Sequence, residues 1–137
     1  MKFAPITFAV AAAAMLSAPS LHADDDAGEQ ASEGEAKLAK MLEGRVAGEP
    51  QSCIYMRPGV DLTIIDGTAL VYKSGKTLYV NIPRNADDID DRDTLVTRRS
   101  SSRLCRTDIV TTQDSSIGMY TGNIFLGDFV PYRKVKS

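Results

Sequence analysis

The chain has 137 residues, with 16 Lys and Arg against 18 Asp and Glu, a formal net charge of −2, one His, two Cys and no Trp. The single histidine, His22, lies in an N-terminal stretch that reads as a secretory signal. A processed chain would therefore have no imidazole for a catalytic dyad, a triad or a metal site, which excludes most neutral-pH enzyme chemistry.

Residues 1–23 carry the adjoining features of an export signal: Lys2 as a positive start, an apolar run from Phe3 to Leu16, and small residues leading to Leu21-His22-Ala23, where Ala23 suits cleavage. The run is shorter than the roughly 20 apolar residues of a bilayer span, so no integral membrane segment is expected after cleavage. No cysteine stands near the cleavage point to take a lipid. The expected location is the periplasm or outside the cell.

Residues 24–35, DDDAGEQASEGE, hold six acids and no base and have no large apolar side chain. Such a stretch buries too little surface to offset the entropy of ordering it, and a disordered acidic leader is expected. Residues 36–137 are read as one domain, with 15 bases against 12 acids. Ser32 and Glu35 form an S-x-x-E capping box before AKLAKMLEG. Leu38, Met41 and Leu42 share one face and Gly44 is placed to end the run, which predicts one short N-terminal helix lying across an open end or edge of the domain.

From Gln51 the helical period disappears. SCIYM, LTII, ALVYK, TLYVNI, TLVTR, RLCR, DIVTT, GMYTG, NIFL and FVPY read as strand segments, the later ones broken by Gly118, Gly122, Gly127 and Pro131. Asp66-Gly67 favours a tight hairpin turn. In TLYVNI, Leu78, Val80 and Ile82 alternate with Thr77, Tyr79 and Asn81, and the second face is a candidate ligand surface. Seven or eight short strands with frequent turns predict an all-β fold, a small antiparallel barrel or sandwich. Cys53 and Cys105, an even pair in an exported chain, are expected to form one structural disulfide, since redox-active dithiols sit much closer together in sequence. Chain entropy gives that bridge about 4 kcal/mol.

The segments GRVAGEPQSCI, IIDGTALVY, TLYVNIPR, DTLVTRRSSSRLCRTDIV and LGDFVPYRK resemble an uncharacterised family of small exported proteins of Gram-negative bacteria. The resemblance implies that the disulfide frame, the hairpin and the closing LGDFVPYR belong to a shared scaffold. It transfers no catalytic residue and no activity.

Three clusters carry chemistry. The run Asp87, Asp88, Asp90, Asp91 and Asp93 is rich in oxygen ligands of the kind calcium takes, but it lacks the glycine and distal glutamate of an EF-hand loop, and a solvated loop paired with nearby arginines is the expectation. Arg98, Arg99, Arg103 and Arg106 flank three serines and form a candidate anion site for an anionic envelope component or another protein. A domain this weakly basic lacks the footprint of a nucleic-acid binder. Asp66, Asp108 and Asp128 are the candidate carboxylates for a hydrolase that needs no histidine. Asp66 and Asp128 sit beside glycines as turn residues do, whereas Asp108 has no such explanation. Tyr55, Tyr72, Tyr79, Tyr120 and Tyr132 are candidates for the core boundary. The expectation is a noncatalytic binding or interaction module of the envelope without cofactor or metal. The alternative is a small carboxylate-dependent hydrolase, which requires at least two of the three aspartates to converge in a concave pocket.

Overall fold

The computed structural model describes residues 25–136, with side chains from Ser32 onward, and the export signal expected at 1–23 lies outside the described residues. The described chain opens with a helix, α1 (Asp25–Met41), followed by a short edge strand, β1 (Arg45–Ala47). Three strands then frame the middle of the fold: β2 (Cys53–Tyr55), β3 (Asp61–Ile65) and β4 (Ala69–Ser74). After β5 (Thr77–Asn81) a single 3-10 turn at Ala86–Asp88 leads to β6 (Asp93–Thr97) and β7 (Arg103–Cys105). The last strands are β8 (Val110–Asp114), β9 (Tyr120–Ile124) and β10 (Phe129–Lys134).

The strands form a five-stranded sheet in the order β1-β10-β5-β4-β3, a two-stranded ribbon β2-β7 and a three-stranded sheet β6-β8-β9, every pairing antiparallel. None of these sheets closes on itself, so the architecture is a sandwich rather than a barrel. No helix among the described residues is long and apolar enough to cross a membrane.

The continuous apolar run ALVY of β4 follows from burial on both faces. Leu70 and Tyr72 face the smaller sheets, where they join Ile54, Leu104, Val110, Ile124 and Phe129 in one core. The edge of the Tyr72 ring meets Phe129 with centroids 5.9 Å apart. Ala69 and Val71 face the other way and, with Ile65, Leu78 and Val80, form a second core closed by Leu38 and Met41 of α1 and by Leu42 just after it. The predicted apolar stripe of the helix therefore covers the outer face of the five-stranded sheet.

The helix begins at Asp25, well before the predicted capping box at Ser32 and Glu35. Residues 25–35 are helical, and Ser32 is an interior helix position. Ala, Glu and Gln, which favour helix, recur through this stretch of the sequence. Gly34 fastens this part to the sheet: a Cβ there would lie 1.8 Å from Thr68 Oγ1 and 3.0 Å from the Asp66 carbonyl oxygen. Only glycine lets the helix approach the β3–β4 connection so closely.

Two strand breaks expected from glycine and proline do not occur. Gly122 lies inside β9, and Pro131 lies inside β10 in the interior of the five-stranded sheet. The Pro131 carbonyl accepts the Gly48 N–H at 2.7 Å, so the missing N–H of the proline faces just beyond the end of β1 and leaves the β5 side intact. The β3–β4 connection contains Asp66, Gly67 and Thr68 rather than two residues, with the left-handed backbone at Gly67 (φ 61°). Asp66 has negative φ, which the tight Asp-Gly hairpin form does not permit. The Thr77, Tyr79, Asn81 face is interior rather than a ligand surface: Asn81 is fully buried and Tyr79 packs against the first core.

Candidate functional site

Cys53 and Cys105 stand directly opposite each other in the β2–β7 ribbon and are joined by a disulfide, with their Cα atoms 4.0 Å apart. The Cys105 N–H does not serve the ladder. It donates to Asp108 Oδ2 at 2.7 Å, while the Asp108 N–H donates back to the Cys105 carbonyl at 2.9 Å. This reciprocal pair closes a turn over 105–108, which accounts for Asp108 as a turn residue after all. Ile109 follows the turn and is 68% exposed.

Opposite this turn runs the connection from β9 to β10, residues 125–128. Its position is set from inside the sandwich by Asn81, whose Nδ2 donates to the Gly127 carbonyl at 2.8 Å and whose Oδ1 accepts the Gly127 N–H at 2.9 Å. Phe125, the first residue of the connection, is 52% exposed. The Arg84 N–H donates to the Phe125 carbonyl at 2.9 Å, and the Phe125 N–H donates to Asn85 Oδ1 at 2.8 Å. Asn85 also donates to the Asn123 carbonyl at 2.8 Å, so two side-chain bonds and one backbone bond clamp the 84–85 segment on the edge of β9. The Arg84 guanidinium lies 5.7 Å from the centroid of the Phe125 ring, in cation–π range.

Between the two walls lies a cleft of about 620 Å³. Arg106 and Asp128 join the walls through an ion pair at 2.8 Å. Ile124 and Leu126 are buried beneath, while Arg84, Ile109 and Phe125 stand at the surface. Among the described residues, the Arg84 guanidinium has no carboxylate partner.

The candidate residues named from the sequence separate. Asp108 and Asp128 both line the cleft, but Asp66 borders a different hollow beside Glu33 and Lys37 of α1. Of the four candidate anion-binding arginines, Arg106 alone lines the cleft. Arg103 lies over the Tyr55 ring at 5.4 Å, with Arg57 at 5.7 Å from the same ring, while Arg98 and Arg99 are exposed in the β6–β7 loop. The residues that sequence reasoning missed are Arg84, Asn85, Ile109 and Phe125. No local pattern marks them, because the bond that brings Asn85 to Phe125 spans 40 positions.

In the acidic loop, Asp90 and Asp91 meet Asp66, with one oxygen from each within 4.8 Å of the others. Asp90 is already held by Arg92, whose Nε and Nη2 donate to it at 3.0 and 2.8 Å. Those side-chain bonds, together with the Arg92 backbone N–H, hold the Asp90 carboxyl below the usual carboxylate range. Asp88 accepts from Asn85 at 2.9 Å and Asp93 from the Thr121 hydroxyl at 2.7 Å. Asp114 accepts the Ser116 hydroxyl and the backbone N–H groups of Ser116 and Ile117, which likewise lowers its pKa and fastens the β8–β9 turn.

Comparison of the chain with protein-family models, with curated proteins and with solved structures finds no match.

Proposed function

We propose that this protein is a noncatalytic binding module of the cell envelope, periplasmic or secreted, and that the cleft between the 105–109 turn and the 125–128 connection is its binding site. The observation that carries this reading is the convergence there of a cation without a carboxylate partner, Arg84, with two exposed apolar side chains, Ile109 and Phe125. Large apolar groups at a surface beside a few placed polar groups are the usual composition of a ligand site. The disulfide supports an oxidising compartment, in agreement with the export signal read from the sequence.

The hydrolase reading draws on the presence of Asp108 and Asp128 in one cleft. Both carboxylates are committed, one to the Cys105 N–H and the other to Arg106, and neither is presented as a general acid to a leaving group. The test is titration of the 15N-labelled protein with a low-molecular-mass extract of Gram-negative envelopes. Amide shifts confined to residues 106–109 and 123–128 support binding in the cleft, and shifts that are absent or lie elsewhere overturn it. Turnover of a chromogenic ester or glycoside that vanishes in Asp128→Asn would carry the hydrolase instead.

A further inference from the structure

We infer that the cleft takes a single-chain amphipathic anion, a carboxylate or phosphate head on an apolar body, with Arg84 contacting the head. The inference rests on the cleft being the binding site and adds the class of ligand.

The charges in the cleft decide the head. Two arginines and two aspartates line it. Arg106 is neutralised by Asp128 at 2.8 Å, and Asp108 directs Oδ2 into its own turn. Arg84 is left as the cleft arginine without a carboxylate partner among the described residues, and guanidinium donors match carboxylate and phosphate oxygens. One such cation suits one anionic head. A polyanion needs several, and a cationic amphipath finds no partner at Arg84.

The apolar body follows from what surrounds Arg84. Its guanidinium lies over Phe125, and the same two residues are tied through the Arg84 N–H and the Phe125 carbonyl at 2.9 Å. The Asn85 side chain fixes the Phe125 N–H as well. Cation and aromatic ring are therefore positioned together before any ligand arrives, which reduces the ordering cost of binding. Ile109 forms an exposed apolar side chain on the opposite wall. The volume of about 620 Å³ falls within the range of small-molecule sites, about 300–1,000 Å³, and accommodates a medium-length alkyl chain.

The experiment titrates the 15N-labelled protein with octanoate, octyl phosphate, inorganic phosphate and octyltrimethylammonium, and repeats the octanoate titration on Arg84→Gln, Arg84→Lys and Arg98→Gln. The expected result is saturable shifts at 106–109 and 123–128 with octanoate and octyl phosphate, and none with inorganic phosphate or the cationic amphipath. Arg84→Gln should weaken octanoate binding by about tenfold or more, Arg84→Lys by less, and Arg98→Gln not at all. Arg84 is exposed, so an unchanged melting temperature of Arg84→Gln verifies that its fold is intact. Octanoate affinity that is unchanged in Arg84→Gln, or equal affinity for the cationic amphipath, overturns the inference. Sedimentation with phosphatidylglycerol vesicles in the absence of a saturable octanoate site also overturns it, by assigning Arg84 to a membrane-surface contact. If envelope extract shifts the cleft residues but neither octyl anion does, the ligand class is wrong and the site stands; if nothing shifts them, both fail.

Discussion

Asn81 grips Gly127 through both ends of its side-chain amide, donating to the carbonyl and accepting from the N–H at 2.8 and 2.9 Å, across 46 positions of sequence. A side chain at the end of β5 thereby stands in for a neighbouring strand, and the wall of the cleft hangs from the core of the sandwich. A Cβ at residue 127 would come within 2.6 Å of the Ile82 carbonyl oxygen, so the close approach requires glycine there.

Removing the grip exposes its contribution. Asn81→Ala leaves the Gly127 N–H and carbonyl without these partners and is expected to lower unfolding free energy by about 1–3 kcal/mol. Asn81→Asp should cost more, since a carboxylate still accepts the N–H but faces the Gly127 carbonyl with a second acceptor in a buried position. Urea denaturation of the two variants checks the order.

Gly34 yields a prediction of opposite sign to helix propensity. Alanine in place of an interior helix glycine ordinarily stabilises by about 1 kcal/mol. Here the new methyl would overlap the Thr68 side chain, so Gly34→Ala should destabilise, by about 1–3 kcal/mol. Thr68→Gly in the same chain removes the obstructing atoms and should recover most of the loss relative to Thr68→Gly alone. A double-mutant cycle on denaturation midpoints measures the coupling.

Replacing both cysteines by serine tests how much the β2–β7 ribbon depends on its bridge. The ribbon has only three paired positions, one of them the cysteine pair itself. Opening a 52-residue loop should lower stability by about 4 kcal/mol at most. Because the 105–108 turn starts at Cys105, amide exchange of residues 105–109 is expected to accelerate more than that of β4 and β5.

Alkaline pH should loosen the first core. Burial pushes the Tyr72 phenol well above its ordinary value of 10.0. Above pH 10 the unfolded chain releases this proton while the folded protein retains it, so stability that is fully present below pH 10 declines as pH rises further. Absorbance at 295 nm should reach full tyrosinate only as the fold opens. Tyr72→Phe should flatten the stability decline between pH 10 and 11.

The alternation of TLYVNI and the apolar segment ALVYK make β5 and β4 legible, because each is a local pattern. The disulfide was legible from cysteine count and expected compartment. Pro131 misled because its effect depends on which side of the strand lacks the donor, and that is set by the distant Gly48. The seat of the helix on the sheet is not legible in the acidic composition of 25–35, because the approach of Gly34 to Thr68 is tertiary and no local window of sequence contains both. The cleft was the least legible part. Arg106, Asp108 and Asp128 were singled out on chemical grounds, but Arg84 and Phe125 acquire their roles only when β9 meets the 84–85 segment.

The strand order β1-β10-β5-β4-β3 also governs when the domain is finished. A chain emerging N-terminus first forms the β3–β4–β5 meander early, from neighbouring segments. β1 has to wait: its partner is Phe129–Lys134, so the sheet keeps an open slot until β10 is made. Pairings of such long sequence separation form slowly because loop closure precedes the contacts that reward it. The five-stranded sheet therefore stays incomplete until β10 has emerged, long after β1.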